Sequence, residues 1–134
     1  YNTWAGYNFS ASSNNVFETN TGIIISEGFQ FSTSSNNIFT NNISKLNNQT
    51  GIYLGNNSNN NILTGNSIIG NNEKGLYLDN VSSNYFAQND IKNNTGYQIY
   101  LSNLSSADTF AKNNIQTSPA NPNYAVYNNV NSDF

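Results

Sequence analysis

The sequence contains no Cys, His, Met or Arg, and only two of its 134 residues are Pro. Without thiolates or imidazoles, the chain has no disulfides and lacks the side chains that bind most copper and zinc ions in proteins. The calcium-binding repeat Gly-Gly-x-Gly-x-Asp is also missing. These absences predict a chain with no metal site and no cofactor.

Charged residues are scarce and apolar runs are short. Charged residues make up 8% of the chain, and the formal net charge is −3. The four cations are Lys45, Lys74, Lys92 and Lys112. A nucleic-acid-binding surface needs a basic stripe, which this composition excludes. No apolar run approaches the roughly 18 residues of a membrane-spanning helix. We therefore expect no nucleic-acid partner and no membrane-spanning segment.

Asn is the most conspicuous residue, with 32 copies in the chain. Few charges together with abundant Asn, Ser and Thr predict an extracellular protein of the cell surface. The chain begins at Tyr1 without an initiator Met, which indicates a processed mature protein or an excised fragment, and the composition favours the first.

Apolar residues return at a fixed period of 22 to 24 residues. A period of this size indicates a repeat architecture in which each unit buries its apolar face against its neighbours. One apolar column contains Phe17, Phe39, Leu63, Phe86 and Phe110. Another contains Phe9, Phe31, Leu54, Leu78 and Leu101.

Two columns of Asn accompany the apolar columns. Asn tolerates left-handed backbone, and stacked amides bond to one another along an axis, so these columns predict corners with Asn ladders. The first ladder is expected to contain Asn15, Asn37, Asn61, Asn84 and Asp108, with Asp108 replacing its near-isostere. The second is expected to contain Asn20, Asn42, Asn66, Asn89 and Asn113.

The apolar segments are too short for helices and alternate with a period of two. Ile52 and Leu54 point to one side and Tyr53 to the other. Three short strands in each repeat predict an all-β fold, a right-handed single-stranded parallel β-helix of about five to six coils. A hairpin sandwich is the alternative, but its typical Asn-Gly and Asp-Gly turns are absent.

We expect residues 1–134 to form one domain. Residues 1–5 would form an N-terminal edge on which Trp4 covers part of the core, and residues 6–117 the regular coils. Residues 118–134, where two Pro interrupt the pattern, would form an irregular last coil.

The segments Ser58–Ile68 and Gly75–Leu78 resemble the right-handed β-helix repeat of the periplasmic copper-binding, nitrous-oxide-reductase-accessory type. The resemblance spans roughly residues 6–117 and implies the scaffold. It leaves the activity open, because the matching residues are those that the coil itself needs.

No catalytic or metal-binding residue is predicted. No two carboxylates share a column on neighbouring coils, whereas a glycosidase needs two carboxyl groups within roughly 5–10 Å. Asp90 and Lys92 are expected to point to opposite faces of their strand unless a corner intervenes. We therefore predict that the chain is not an enzyme.

One outward column is a candidate interface. Three tyrosines at one-coil spacing would form a flat aromatic strip flanked by amides, which suits contacts with protein or glycan but is also explained by the β-propensity of Tyr. The column contains Asn8, Gln30, Tyr53, Tyr77 and Tyr100.

Seven Asn-x-Ser/Thr sequons are candidate N-glycosylation sites, about the number that this composition yields by chance. They begin at Asn8, Asn42, Asn48, Asn56, Asn80, Asn93 and Asn103.

The favoured hypothesis is a non-catalytic structural protein of a cell envelope, sheath or filament that self-associates into a homo-oligomer or polymer. Its contacts would be the open β-helix edges and the Tyr/Asn faces. The first alternative is an adhesin or carbohydrate-binding module that binds surface glycans. The second alternative is an enzyme resembling polysaccharide lyases or epimerases.

Overall fold

The computed structural model describes residues 5–122 and 125–128. Trp4 and its expected contact with the core lie outside these residues. The described chain forms short strands without a helix, and all strand ladders are parallel. The expectation of a parallel β-helix is confirmed, and the hairpin sandwich is wrong.

The strands form three sheets that run along the solenoid, because each coil contributes one strand to each sheet. Sheet A consists of β1 (Ala5–Ser10), β4 (Glu27–Ser32), β7 (Ile52–Gly55), β10 (Leu76–Asp79), β13 (Ile99–Ser102) and β16 (Val126–Asn128). Sheet B consists of β2 (Val16–Glu18), β5 (Ile38–Thr40), β8 (Ile62–Thr64), β11 (Tyr85–Ala87) and β14 (Thr109–Ala111). Sheet C consists of β3 (Thr21–Ile23), β6 (Ile43–Lys45), β9 (Ser67–Ile69), β12 (Asp90–Lys92) and β15 (Asn114–Gln116).

Equivalent residues of successive coils lie on top of one another. Phe39 is the register partner of Phe17 on one side and of Leu63 on the other. Inward side chains from the three sheets fill the centre, and Phe39, Leu54 and Phe86 are at most 1% exposed. The apolar columns of the sequence are therefore the core of the solenoid.

The corners use left-handed backbone, but not at the ladder residues. Asn36 and Asn60 have φ of 57° and 56°, and each immediately precedes a residue of the first ladder. Asn41, with φ of 54°, stands in the same relation to the second ladder. The expectation that the ladder Asn themselves occupy the left-handed corner was wrong, because the preceding residue makes the turn and directs the ladder amide inward.

After β15 the regular winding is interrupted by an isolated antiparallel bridge between Ser118 and Asn121, and β16 then joins sheet A beside β13. The extent of one domain over residues 1–134 stays a prediction.

Candidate functional site

Both predicted Asn ladders are present, and their central members are buried. Asn61 shows the bonding pattern of both ladders. Its Oδ1 accepts from the backbone N–H of Asn37 at 2.9 Å and from the side-chain amide of Asn37 at 3.1 Å. Its own amide donates to the Ser34 carbonyl and to Asn84 Oδ1. Because these bonds satisfy buried polar groups of three coils, the ladders hold the scaffold together.

Asp108 continues the first ladder, as its near-isosteric shape predicted. Its Oδ1 accepts from the backbone and amide of Asn84 at 2.9 and 3.0 Å, but its buried Oδ2 has no hydrogen-bond partner among the described residues. Burial raises the pKa of Asp108 from 3.8 to about 6, while the bonds from Asn84 oppose the rise.

A third amide ladder escaped the sequence analysis. Asn47 donates its amide to Asn71 Oδ1 at 2.8 Å, and Asn71 donates to Asn94 Oδ1 at 2.9 Å. Gln98 ends the series by accepting from Asn94 and donating back to the Asn94 carbonyl. The one-coil spacing of Asn47, Asn71 and Asn94 could have revealed this ladder. The first coil breaks the pattern, because Ile25 occupies the equivalent position there.

The outward tyrosine column lies on sheet A in the predicted register. Asn8 pairs with Gln30, Gln30 with Tyr53, Tyr53 with Tyr77, and Tyr77 with Tyr100. All three tyrosines are half-buried. The sequence analysis missed the next member, Tyr127, whose ring stacks on Tyr100 with centroids 4.6 Å apart.

The column is not the flat strip that was expected. Tyr53 and Tyr77 meet at an interplanar angle of 62°, and Tyr77 and Tyr100 at 88°. In both pairs the positive edge of one ring meets the negative face of the next. The surface is therefore ridged from Tyr53 to Tyr100, and only the last pair, Tyr100 and Tyr127, lies nearly parallel at 11°.

Beside the column lies a shallow groove of about 490 Å³, lined by Asn56, Asp79, Asn80, Asn103 and Leu104. Asp79 accepts hydrogen bonds from the Tyr53 hydroxyl at 3.2 Å and the Ser102 hydroxyl at 3.3 Å, and also from the Asn103 amide. Asp79 therefore connects the groove with the tyrosine column, a contact that the sequence analysis did not predict.

A charged cluster borders the other side of the column, and the sequence analysis did not predict it. Lys74 Nζ lies 3.6 Å from Glu73 Oε2 and over the rings of Tyr77 and Tyr100, 4.8 and 5.2 Å from their centroids. Burial, followed by the charge of Glu73, raises the pKa of Glu27, and Lys74 opposes the rise. Glu73, Lys74 and Tyr97 also line a second hollow of about 330 Å³.

Two tyrosine hydroxyls of this face, those of Tyr53 and Tyr100, hold their protons firmly. Burial and then the charge of Asp79 raise the pKa of Tyr53 far above its usual range. Burial and the neighbouring Tyr127 raise the pKa of Tyr100. Both hydroxyls therefore act as hydrogen-bonding groups and are poorly suited to be proton acceptors at neutral pH.

The expectation for Asp90 and Lys92 was wrong. They form an ion pair with Nζ 2.6 Å from Oδ2, on the outer face of sheet C. Positions two apart on a strand share a face, and the residue between them, Ile91, points into the core. Within residues 5–122 and 125–128, no three carboxylates gather into a metal-binding group.

The sequons differ in accessibility. Asn42 is 1% exposed and its amide is fixed in the second ladder, so its candidacy for glycosylation is wrong. The other six are at least partly accessible: Asn8, Asn48, Asn56, Asn80, Asn93 and Asn103. In two of these, the sequon hydroxyls are already used by the fold, because Ser58 and Ser105 donate to the backbone at 2.7 and 2.9 Å.

Sheet B presents an exposed aliphatic column that was also missed. Val16, Ile38, Ile62 and Tyr85 are register partners on successive coils, and their exposed fractions are 66%, 39%, 40% and 42%. A contiguous apolar patch of this kind is typical of an interaction surface.

The sequence matches a known family over most of its length. The profile described as "right handed beta helix region" matches residues 1–91. The chain therefore belongs to the right-handed β-helix family. A search of curated proteins finds no match.

Solved structures with the same winding include alginate-modifying epimerases. The mannuronan C-5 epimerase AlgE4 A-module of Azotobacter vinelandii is similar with a TM-score of 0.77 and 18% identity, over 87% of this chain and 33% of that protein. The periplasmic alginate epimerase AlgG is similar with a TM-score of 0.74 and 20% identity, over 97% of this chain and 36% of that protein. A double mutant of the same epimerase is similar with a TM-score of 0.62 and 24% identity, over 79% of this chain and 25% of that protein. The likeness concerns the fold, and the chain spans only about a quarter to a third of the length of each of these proteins.

Within the described part of the chain, no helix is long and apolar enough to cross a membrane.

Proposed function

We propose that this chain is a non-catalytic, extracellular β-helix module that binds carbohydrate along the outer face of sheet A. The observation that carries the proposal is the tyrosine column of Tyr53, Tyr77, Tyr100 and Tyr127, which borders the polar groove at Asp79. We call the column, the groove and the cluster at Lys74 the sheet A face.

The aromatic part of this face suits sugar rings. Each tyrosine is anchored by the next at a centroid distance between 4.6 and 5.3 Å. Rings held in this way lose little further freedom when a ligand covers them, and their amphipathic surface accepts both C–H groups and hydroxyls.

The polar part supplies orientation. Asn56, Asn80 and Asn103 lie on successive coils around Asp79, so amide and carboxylate groups recur beside the rings. A few directed hydrogen-bonding groups next to an apolar surface are typical of ligand sites.

Two observations favour binding without catalysis. Tyr53 and Tyr100 hold their protons, as their raised pKa values indicate. Glu27 and Asp79 lie at opposite ends of their strands, and the register partners of Asp79 are Gly55 and Ser102 instead of a second carboxylate.

An extracellular location is supported by the low charge and the abundance of Asn, and by the likeness to AlgG, which is a periplasmic epimerase. The epimerase neighbours also keep a polysaccharide-modifying activity as the weakest alternative. The copper-binding subtype of the repeat has little support, because the chain lacks His and Cys.

Binding to immobilised and soluble oligosaccharides tests the proposal. Tyr77→Ala or Tyr100→Ala is expected to weaken binding about tenfold or more, because each removes a central ring. Tyr85→Ala, which removes an exposed tyrosine from sheet B, is the matched control. The proposal fails if no oligosaccharide binds, or if all three variants bind like the unaltered chain.

The second candidate function is that of a self-associating structural protein, and the aliphatic column of sheet B favours it. Two copies that pack these columns together would bury Val16, Ile38 and Ile62, which are exposed in the single chain. Sheets pack face to face at about 10 Å with interdigitating side chains.

Sedimentation velocity over a range of concentrations tests this candidate. We expect a reversible dimer or larger species that the double substitution Ile38→Ser and Ile62→Ser abolishes, while Tyr77→Ala leaves it intact. A single monomeric species at every concentration would exclude it.

A further inference from the structure

We propose that the sheet A face discriminates against acidic glycans and binds amino-sugar polymers most tightly. The inference rests on the carbohydrate-binding function proposed above and concerns the class of sugar. It follows from the placement of the charges.

Among the residues that the structure describes, three carboxylates and one cation border the tyrosine column. Asp79 lies in the groove on one side, and Glu73 lines the hollow on the other. Glu27 is half-buried at the beginning of β4 and interacts with Glu73 and Lys74. With Lys74 counted, the face has a formal charge of −2.

Lys74 is already engaged. Its ammonium group lies 3.6 Å from Glu73 and over the faces of Tyr77 and Tyr100. A cation held by a carboxylate and two ring faces has little attraction left for an acidic ligand, and leaving these partners would cost both interactions.

The remaining cations lie elsewhere on the solenoid. Lys45 and Lys92 belong to strands of sheet C, and Lys92 is paired with Asp90. Lys112 follows the strand β14 of sheet B. A uronate chain laid along the tyrosines would therefore meet the charge of Asp79 without a nearby cation, and that of Glu73 with only the already engaged Lys74.

The size of the effect follows from Coulomb's law. Two unit charges about 4 Å apart in water interact by about 1 kcal/mol, and physiological salt screens them over about 8 Å. Groups in the groove lie within this range of Asp79. The negative charge of Asp79 attracts a protonated amino sugar and repels a uronate. The two classes of sugar should therefore differ in affinity by about tenfold or more.

Calorimetric titration of the whole chain with three oligomers of equal length tests the inference: glucosamine, N-acetylglucosamine and guluronate. The buffer is slightly acidic, so that the sugar amines are protonated. We expect the affinities to fall in that order, and about 1 M salt to bring them closer together.

Charge-neutral variants locate the effect. Asp79→Asn keeps an oxygen that accepts from Tyr53, and Glu73→Gln keeps its size, yet each removes one negative charge. Both should weaken binding of glucosamine oligomers severalfold and strengthen binding of guluronate oligomers. Glu18→Gln makes the same change in net charge on sheet B and should alter neither.

The outcomes separate the inference from the proposed function. Tighter binding of guluronate than of glucosamine oligomers overturns the inference and leaves carbohydrate binding in place. The inference also fails if Asp79→Asn and Glu73→Gln behave like Glu18→Gln. Absence of binding to all three oligomers overturns both the inference and the proposed function.

Discussion

The hydroxyl of Tyr53 donates a hydrogen bond to Asp79 Oδ2 on the next coil, at 3.2 Å. The tyrosine ring reaches this carboxylate by crossing over Gly55, the register partner of Asp79, where a Cβ atom would collide with the Tyr53 hydroxyl. The equivalent positions on the flanking coils are Ser32 and Asp79 itself, which have side chains. Gly55 therefore provides the space in which the aromatic column and the polar groove are joined.

Substituting Gly55 with Ala should displace the ring of Tyr53 and break its bond to Asp79. Because burial and the nearby carboxylate hold the pKa of Tyr53 above its usual range, the pKa should fall toward that range in the variant. The free energy of unfolding should drop by about 1 kcal/mol. Titration of ring-labelled tyrosine by NMR measures the pKa, with Ser32→Ala as control. An unchanged Tyr53 titration would contradict this account.

Substituting Asp108 with Asn should stabilise the fold at neutral pH. The folded-state pKa of about 6 exceeds the ordinary 3.8, so the folded chain holds a proton that the unfolded chain releases. Stability of the unaltered chain should therefore fall as pH rises from about 4 through 6, by at most about 3 kcal/mol from this group. Asn restores a donor and removes this dependence.

Urea unfolding at about pH 4 and pH 8 checks the Asp108 prediction. The gain from Asp108→Asn should be largest at the higher pH and small at the lower. Asp90→Asn, at a surface ion pair with Lys92, should give no such gain. Equal stabilisation at both pH values would show that the titration of Asp108 is not the cause.

Removing a central ladder amide should be costly. Asn61→Ala leaves the backbone and amide donors of Asn37 without their acceptor and the Ser34 carbonyl without its donor. Unsatisfied buried groups cost about 1–3 kcal/mol each, so we expect a loss of about 2–5 kcal/mol. Thermal unfolding measures it against Asn72→Ala, an exposed position. Equal loss in both variants would mean that the ladders do not stabilise the fold.

Substitution of a core ring and of its exposed neighbour should differ sharply in the loss of stability that each causes. Phe39 is 1% exposed and packs edge-on against Phe29 and Phe31, whereas Ile38 is 39% exposed. Phe39→Ala should destabilise the chain by about 3–5 kcal/mol through the cavity it leaves, and Ile38→Ala by about 1 kcal/mol or less. Similar losses in denaturant unfolding would contradict the assigned register.

The sequence was sufficient to predict the winding, because stacking repeats side-chain types at one period. Phe39 and Leu63 could be paired without coordinates for this reason, and so could Tyr53 and Tyr77. The angle between the rings of Tyr53 and Tyr77 could not be predicted, since the repeat period determines which residues are neighbours but leaves side-chain torsions free.

The corners and turns were harder to predict. The cluster of Glu27, Glu73 and Lys74 depends on how the turns before β4 and β10 fold. These turns span residues 24–26 and 70–75 and differ in length, so the repeat period does not place their side chains. The error at Asp90 and Lys92 had a different origin, since strand alternation alone would have placed both on one face.

The first two ladders have one consistent sense: from the second coil to the fifth, the side-chain oxygen accepts from the coil before it. The solenoid therefore has a direction, because its two ends present different hydrogen-bonding groups of the ladders. A tandem duplication of one whole coil supplies matching donors and acceptors at both new junctions, whereas an insertion of any other length leaves them mismatched. Growth by whole coils also adds one more residue to the outward column of sheet A, so gene duplication would lengthen the ligand footprint in steps of about 4.8 Å.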